Sequence, residues 1–227
     1  GSALWALCEG FGNLNQTQAR RFICGFTRIL KIIVAECGAP IDQRLDGKSA
    51  QTALIMVASS GIPEAVEACL ELGANPKMRN AQGWTALLVA CVVKDVSPDM
   101  YGPQEDDVAR CKVVEMLLDG RADVDARNEH NMSALMIAAT FARPTLIELL
   151  LSRGAHADLH TTDAHLNPVL RLETARSHVG TAVAIAAAEE CKEILHRYVR
   201  SSTPTVGLHA PGEAGCWICL ETTGDLI

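Results

Sequence analysis

Apolar positions along this chain recur in blocks rather than in one continuous pattern. The clearest block is Thr85-Ala86-Leu87-Leu88-Val89-Ala90-Cys91, and Ser2–Cys8, Thr52–Ala58, Ser133–Ala139 and Thr181–Ala187 share its layout. Each begins with a hydroxyl residue, then Ala, then Leu or Val, then an apolar run with small residues near its end. A hydroxyl just ahead of a helical run can accept a free backbone N–H of the first turn, so each block predicts a capped helix. A second segment with 3.6-residue periodicity follows most blocks: Phe22, Ile23, Phe26, Ile29, Leu30, Ile33 and Val34; Ala65, Val66, Cys69 and Leu70; Leu146, Ile147 and Leu149 to Leu151. In two of them Pro63 and Pro144 stand where a first helical turn tolerates proline. Loops with a common opening come next: Gly38-Ala39-Pro40-Ile41-Asp42, Gly73-Ala74-Asn75-Pro76, Arg121-Ala122-Asp123-Val124-Asp125 and Gly154-Ala155-His156-Ala157-Asp158. Glycine there can take positive φ and end a helix. Where Arg121 replaces it, Gly120 is expected to absorb the turn. The prediction is an all-α chain of about five helix–turn–helix units starting near residues 2, 52, 85, 133 and 181.

The spacing locates the irregularities. Thr52 to Thr85 is 33 residues, while the other steps between blocks are 50, 48 and 48. Each long step is a 33-residue unit with an insertion. In the first unit the extra residues predict a lengthened or doubled second helix. In the third they form segment 94–107, which has two Pro and a closing acidic run, Glu105-Asp106-Asp107. It reads as an exposed loop whose acids meet the positive end of the next helix, with Tyr101 as a candidate contact residue. In the fourth they lengthen the outgoing loop, which includes 160–178. Neither insertion has metal-site spacing: 94–107 lacks the alternating ligands of a calcium loop, and nothing gathers His156, His160 and His165 on one face.

The blocks, the loops and the 33-residue period together resemble the ankyrin repeat family over roughly residues 2–200. The chain departs from the family's Thr-Pro-Leu-His opening, with Ala in place of Pro and Trp5, Ile55, Leu88, Met136 or Ala184 in place of His. The resemblance implies a solenoid with no shared catalytic residues, offering a concave face of loop tips and first helices to a protein or peptide partner. Carried onto this chain, the contacting positions are Arg79, Ala81, Gln82, Trp84 and Val92, then Arg127, Glu129, His130, Met132 and Thr140, with Lys48, Ser49, Gln51 and Ser59 in the earlier unit. Arg79 and Arg127 occupy one repeat position and would form a column of cations able to grip a carboxylate. Alternatively, each braces its own loop. Trp84 is a candidate anchor, since indoles are frequent among binding hot spots. It has the alternative of packing on a neighbouring loop.

Charge and cysteine usage narrow the picture. The net charge of −7 argues against nucleic acid or an anionic membrane as the main partner. No run of 18 apolar residues predicts a spanning helix. The nine cysteines are an odd count, and Cys8, Cys37, Cys69, Cys91, Cys111 and Cys191 fall on helix patterns as small buried thiols rather than a disulfide framework. We therefore expect a monomer in the cytoplasm or nucleus, with no cofactor on the repeats. After Ser201 the pattern gives way to a linker over 201–215. Over 216–227, Cys216-Trp217-Ile218-Cys219-Leu220-Glu221 resembles the opening of a RING-type zinc finger. Two thiolates are half of a tetrahedral zinc set, so the resemblance implies a truncated finger. It leaves open that the repeats are the substrate-recruiting part of a ubiquitin ligase.

Overall fold

A computed structural model describes residues 3–14, 16–44, 49–92, 107–156 and 189–198, and these contain helices, turns and loops but no strand. The helices are α1 (Ala3–Gly12), α2 (Gln16–Lys31) continued by a π-helical turn (Ile32–Glu36), α3 (Ala53–Ala58), α4 (Pro63–Glu71), α5 (Ala86–Ala90), α6 (Asp107–Asp119), α7 (Ala134–Thr140) and α8 (Pro144–Ser152). A further helical stretch covers 189–198, with Cys191, Ile194 and Leu195 buried. Odd- and even-numbered helices form two layers. Within one, α1 packs on α3, α3 on α5 and α5 on α7; within the other, α2 packs on α4, α4 on α6 and α6 on α8. One apolar core runs through all of them.

The capping reading holds for three of the five blocks; Ser2 and Thr181 lie outside the described residues. Thr52, Thr85 and Ser133 are extended, buried, and accept from the backbone N–H groups of Ile55, Leu88 and Met136 at 3.4, 3.3 and 3.3 Å. Pro63 and Pro144 open α4 and α8. Behind α4, α6 and α8 the chain turns through a residue of positive φ, and the next N–H reaches back to the helix: Ala74 to Cys69, Ala122 to Leu117 and Ala155 to Leu150.

Several expectations need correction. Two glycines so close together, Gly10 and Gly12, would be expected to break the first helix, yet α1 runs to Gly12. Phe11 stacks on Phe26, ring centres 4.1 Å apart, and Gly12 lies so close to α3 that a Cβ would come within 3.1 Å of the Met56 carbonyl oxygen. Gly120 does not absorb the α6 turn; Arg121 itself takes φ +68°. On α2, Phe26 and Leu30 are buried, but Phe22 and Ile29 are exposed, because this long helix meets neighbours on one side only. Cys37 is exposed rather than buried, since it follows the π-helical turn on the outside. Asp107 is not a solvated helix-start acid either: it is buried against the fully buried guanidinium of Arg143, joining the start of α6 to the start of α8.

Two predictions follow from this packing. Deleting one partner of a buried ion pair strands the other's charge, so Asp107→Ala should cost about 3–5 kcal/mol in urea unfolding. A loss under about 1 kcal/mol would show that the pair behaves as a surface contact. The second concerns the thiols. Burial pushes Cys8, Cys91 and Cys191 up to about 12, and raises Cys69 as well. Above the ordinary thiol value of 9.0 the unfolded chain releases protons that the folded chain keeps, so stability should fall as pH rises from 9 towards 12. Cys91→Ala should make that fall shallower; an unchanged slope would mean that Cys91 ionises alike in both states.

Candidate functional site

The loops between units fold into short hairpins, built around an asparagine in the second (80–84) and third (128–132), with 49–51 the described part of the first. Asn80 N–H donates to the Trp84 carbonyl at 2.9 Å, and its Oδ1 accepts from Gln82 N–H and Trp84 N–H at 3.0 and 2.9 Å. Asn128 repeats this with Met132 and His130. The residue before each hairpin's last position has positive φ: Gly83 in the second hairpin, Asn131 in the third and Ala50 at the equivalent place in the first. Adjacent hairpins bond side by side, Ala81 N–H to Ser49 O at 2.8 Å and Glu129 N–H to Gln82 O at 3.1 Å. At Gly83 the third hairpin is so near that a Cβ would sit 3.2 Å from the Asn128 Cα. The tips thus form a braced row.

The positions named from sequence divide accordingly. Gln82, Glu129 and His130 are exposed on the tips. Glu129 and His130 approach to 3.6 Å, a surface pair of little energetic weight. Met132 is a correction: at 5% exposure it belongs to the core, because its backbone is held by Asn128 and its side chain turns inward. Trp84 is half-buried and packs against the core rather than standing free. Arg79 and Arg127 do not form a free column. Arg79 Nη1 donates to the Arg127 carbonyl at 2.6 Å and Arg127 Nη1 to the Asn131 carbonyl at 3.2 Å, so both brace hairpin backbone. Tyr101, Cys216 and Cys219 lie outside the described residues. Among the described residues no group of three or more His, Cys, Asp or Glu is arranged to hold a metal ion, and no helix is long and apolar enough to cross a membrane.

The helices add a surface that the motif positions do not mark. A half-open cavity of about 360 Å³ lies on α1, α3 and α5 beside the first two hairpins. Trp5, Ile55, Met56 and Val89 supply its apolar wall; Glu9, Asn13, Ser49, Gln51, Ser59 and Asn80 supply polar groups. Met56 and Val89 hold the same repeat position, and Glu9 and Ser59 share another three residues further along the helix, so both positions lie on one helical face. Ser49, Gln51 and Ser59 were legible from the family pattern. Trp5, Met56 and Val89 were not, because in sequence they look like ordinary members of an apolar run.

Comparison with protein-family models matches the ankyrin repeat over residues 82–129. That span runs from the tip of the second hairpin through α5 and α6 to the tip of the third. With the two-layer stack of capped helix pairs, it defines an all-α ankyrin-repeat fold. Such a repeat is a protein-interaction unit, not a catalytic one.

One polar group in the hairpins is unmatched. Asn80 Nδ2 donates to Gln82 Oε1 at 3.3 Å. The equivalent Asn128 Nδ2 is buried and, among the described residues, has no acceptor, since His130 stands where Gln82 did. His130→Gln should restore the bond and raise stability by about 1 kcal/mol in chemical denaturation. A destabilised variant would show that the imidazole, rather than the amide geometry, sets this tip.

Proposed function

We propose that the chain binds a peptide segment of another protein across the concave face made by its first helices and hairpin tips. The observation that carries this reading is the cavity on α1, α3 and α5, where a strip of half-exposed apolar side chains, Trp5, Met56 and Val89, is edged by polar groups. Apolar contact surface with a few fixed hydrogen-bonding groups is the usual make-up of a recognition site. The exposed tip residues Gln82, Glu129 and His130 extend the same face, and the half-buried Trp84 supplies a rigid edge. The chain acts as a monomeric adaptor in the cytoplasm or nucleus without a cofactor, and its acidic balance favours protein over nucleic acid.

The test is comparative capture and crosslinking. A photoreactive residue at Val89 should crosslink a partner that Met56→Arg loses by at least about tenfold in affinity, the scale of one buried contact. Lys112→Glu, on the exposed side of α6, should leave binding unchanged. Equal capture by wild type and a folded Met56→Arg chain would reject the groove. A second reading, the recruiting part of a RING-type ubiquitin ligase, rests on the Cys216-x-x-Cys219 spacing alone. Ubiquitin transfer by the full protein that is lost on Cys216→Ser would select it, and unaffected transfer would reject it.

A further inference from the structure

The loops that leave α2, α4, α6 and α8 contain a repeated bond with one exception. At the first junction the Asp42 carboxylate accepts the Asn75 N–H from the following loop at 2.9 and 3.2 Å. At the third, the Asp125 carboxylate accepts the His156 N–H at 2.8 Å. Both aspartates are the fifth residue of their loop and both N–H groups belong to the third residue of the next. At the junction between them the fifth residue is Lys77 and the third is Asp123. A carboxylate is therefore replaced by an ammonium, and the Asp123 backbone N–H has no acceptor among the described residues.

A cavity of about 360 Å³ opens at this junction, lined by Lys77, Arg79, Thr85, Arg121, Ala122, Asp123 and Ala126. Three of its side chains are cationic and one is acidic, in a chain whose net charge is −7. Among the described residues no carboxylate lies within ion-pair distance of Lys77, Arg79 or Arg121. The Asp123 carboxylate is occupied instead by the Asp125 N–H at 3.2 Å. Arg79 spends one N–H on the Arg127 carbonyl and keeps the others. Arg121 is the most telling member. Its counterparts are Gly38, Gly73 and Gly154, all at positive φ, and Arg121 adopts the same conformation at φ +68°. A β-carbon is disfavoured there, so the long cationic side chain is held at a position where glycine suits the backbone best.

We infer that this cavity is a carboxylate-binding site: an Asp or Glu side chain of a bound polypeptide occupies it and accepts the Asp123 N–H. It takes the place that Asp42 and Asp125 fill at the flanking junctions, with Lys77, Arg79 and Arg121 closing around its charge. The site shares no residue with the groove on α1, α3 and α5 and does not depend on that groove binding anything. Arg79 and Asn80, neighbours in sequence, line different cavities.

A fluorescein-labelled hexaglutamate peptide, with hexaglutamine as its neutral control, tests this by fluorescence anisotropy in about 0.15 M salt. Lys77→Asp supplies the missing carboxylate from within, so it should lower hexaglutamate affinity by at least about tenfold, the worth of one charged hydrogen bond, without lowering the unfolding midpoint. Arg121→Gly should also weaken binding while raising that midpoint. Arg28→Ala, an exposed cation on α2 that does not line the cavity, should leave binding within about twofold, since solvent and salt screen it. Lys77→Asp binding like wild type, Arg28→Ala losing as much, or hexaglutamine binding equally would each overturn the proposal. So would displacement of the peptide by inorganic phosphate but not by glutarate, which would mark a phosphate site. Met56→Arg should keep full hexaglutamate affinity, so a failed groove and a failed cationic cavity give different results.

Discussion

Everything in this fold depends on how closely the first helices approach one another. They are short, six residues in α3, five in α5 and seven in α7, far below the length at which a helix persists alone in water. Their stability comes from neighbours. Ala53, Ala58, Ala86, Ala90, Ala134, Ala138 and Ala139 are at most 1% exposed and let the backbones come together, while Leu54, Leu87, Leu88 and Leu135 fill the space between layers. Buried hydroxyl caps close the N-terminal ends, so each helix spends its few residues on packing. No unit can shield both of its apolar sides by itself, which makes the stack the cooperative object.

That requirement explains which parts were legible in the sequence. The block Thr85–Cys91 and its copies announced themselves because the cap, the small residues and the period all express one packing constraint. The proline starts of α4 and α8 were legible for the same reason. What escaped was set by neighbours. Met132 and Trp84 hold one repeat position, yet one is buried and the other half-buried, because their depth depends on the adjoining hairpin. Gly10 and Gly12 look like helix breakers, but Gly12 serves a close crossing with α3 that no local pattern encodes. Asp107 and Arg143 meet across 36 positions of chain, and neither belongs to a motif.

Repetition also turns departures into information. Lys77 in place of an aspartate, Arg121 in place of a glycine and His130 in place of a glutamine are unremarkable as single residues. Set beside the other copies of the same junction, each changes a defined feature: a lost carboxylate, a disfavoured φ, an amide without an acceptor among the described residues. A regular stack is the background on which such exceptions acquire chemical meaning, and the surface chemistry of this chain is concentrated in them.

The clasp between Asp107 and Arg143 has a structural corollary. Asp107 is the first described residue after 93–106, and its carboxylate is fastened to Arg143 at the start of α8. On the other flank, Arg110 Nη1 grips the carbonyls of Ala90 and Val92 where α5 ends. Both ends of the insert are thereby anchored to the scaffold by buried arginines. The register of α5 and α6 is therefore set by these two buried contacts, whatever length of chain joins Val92 to Asp107.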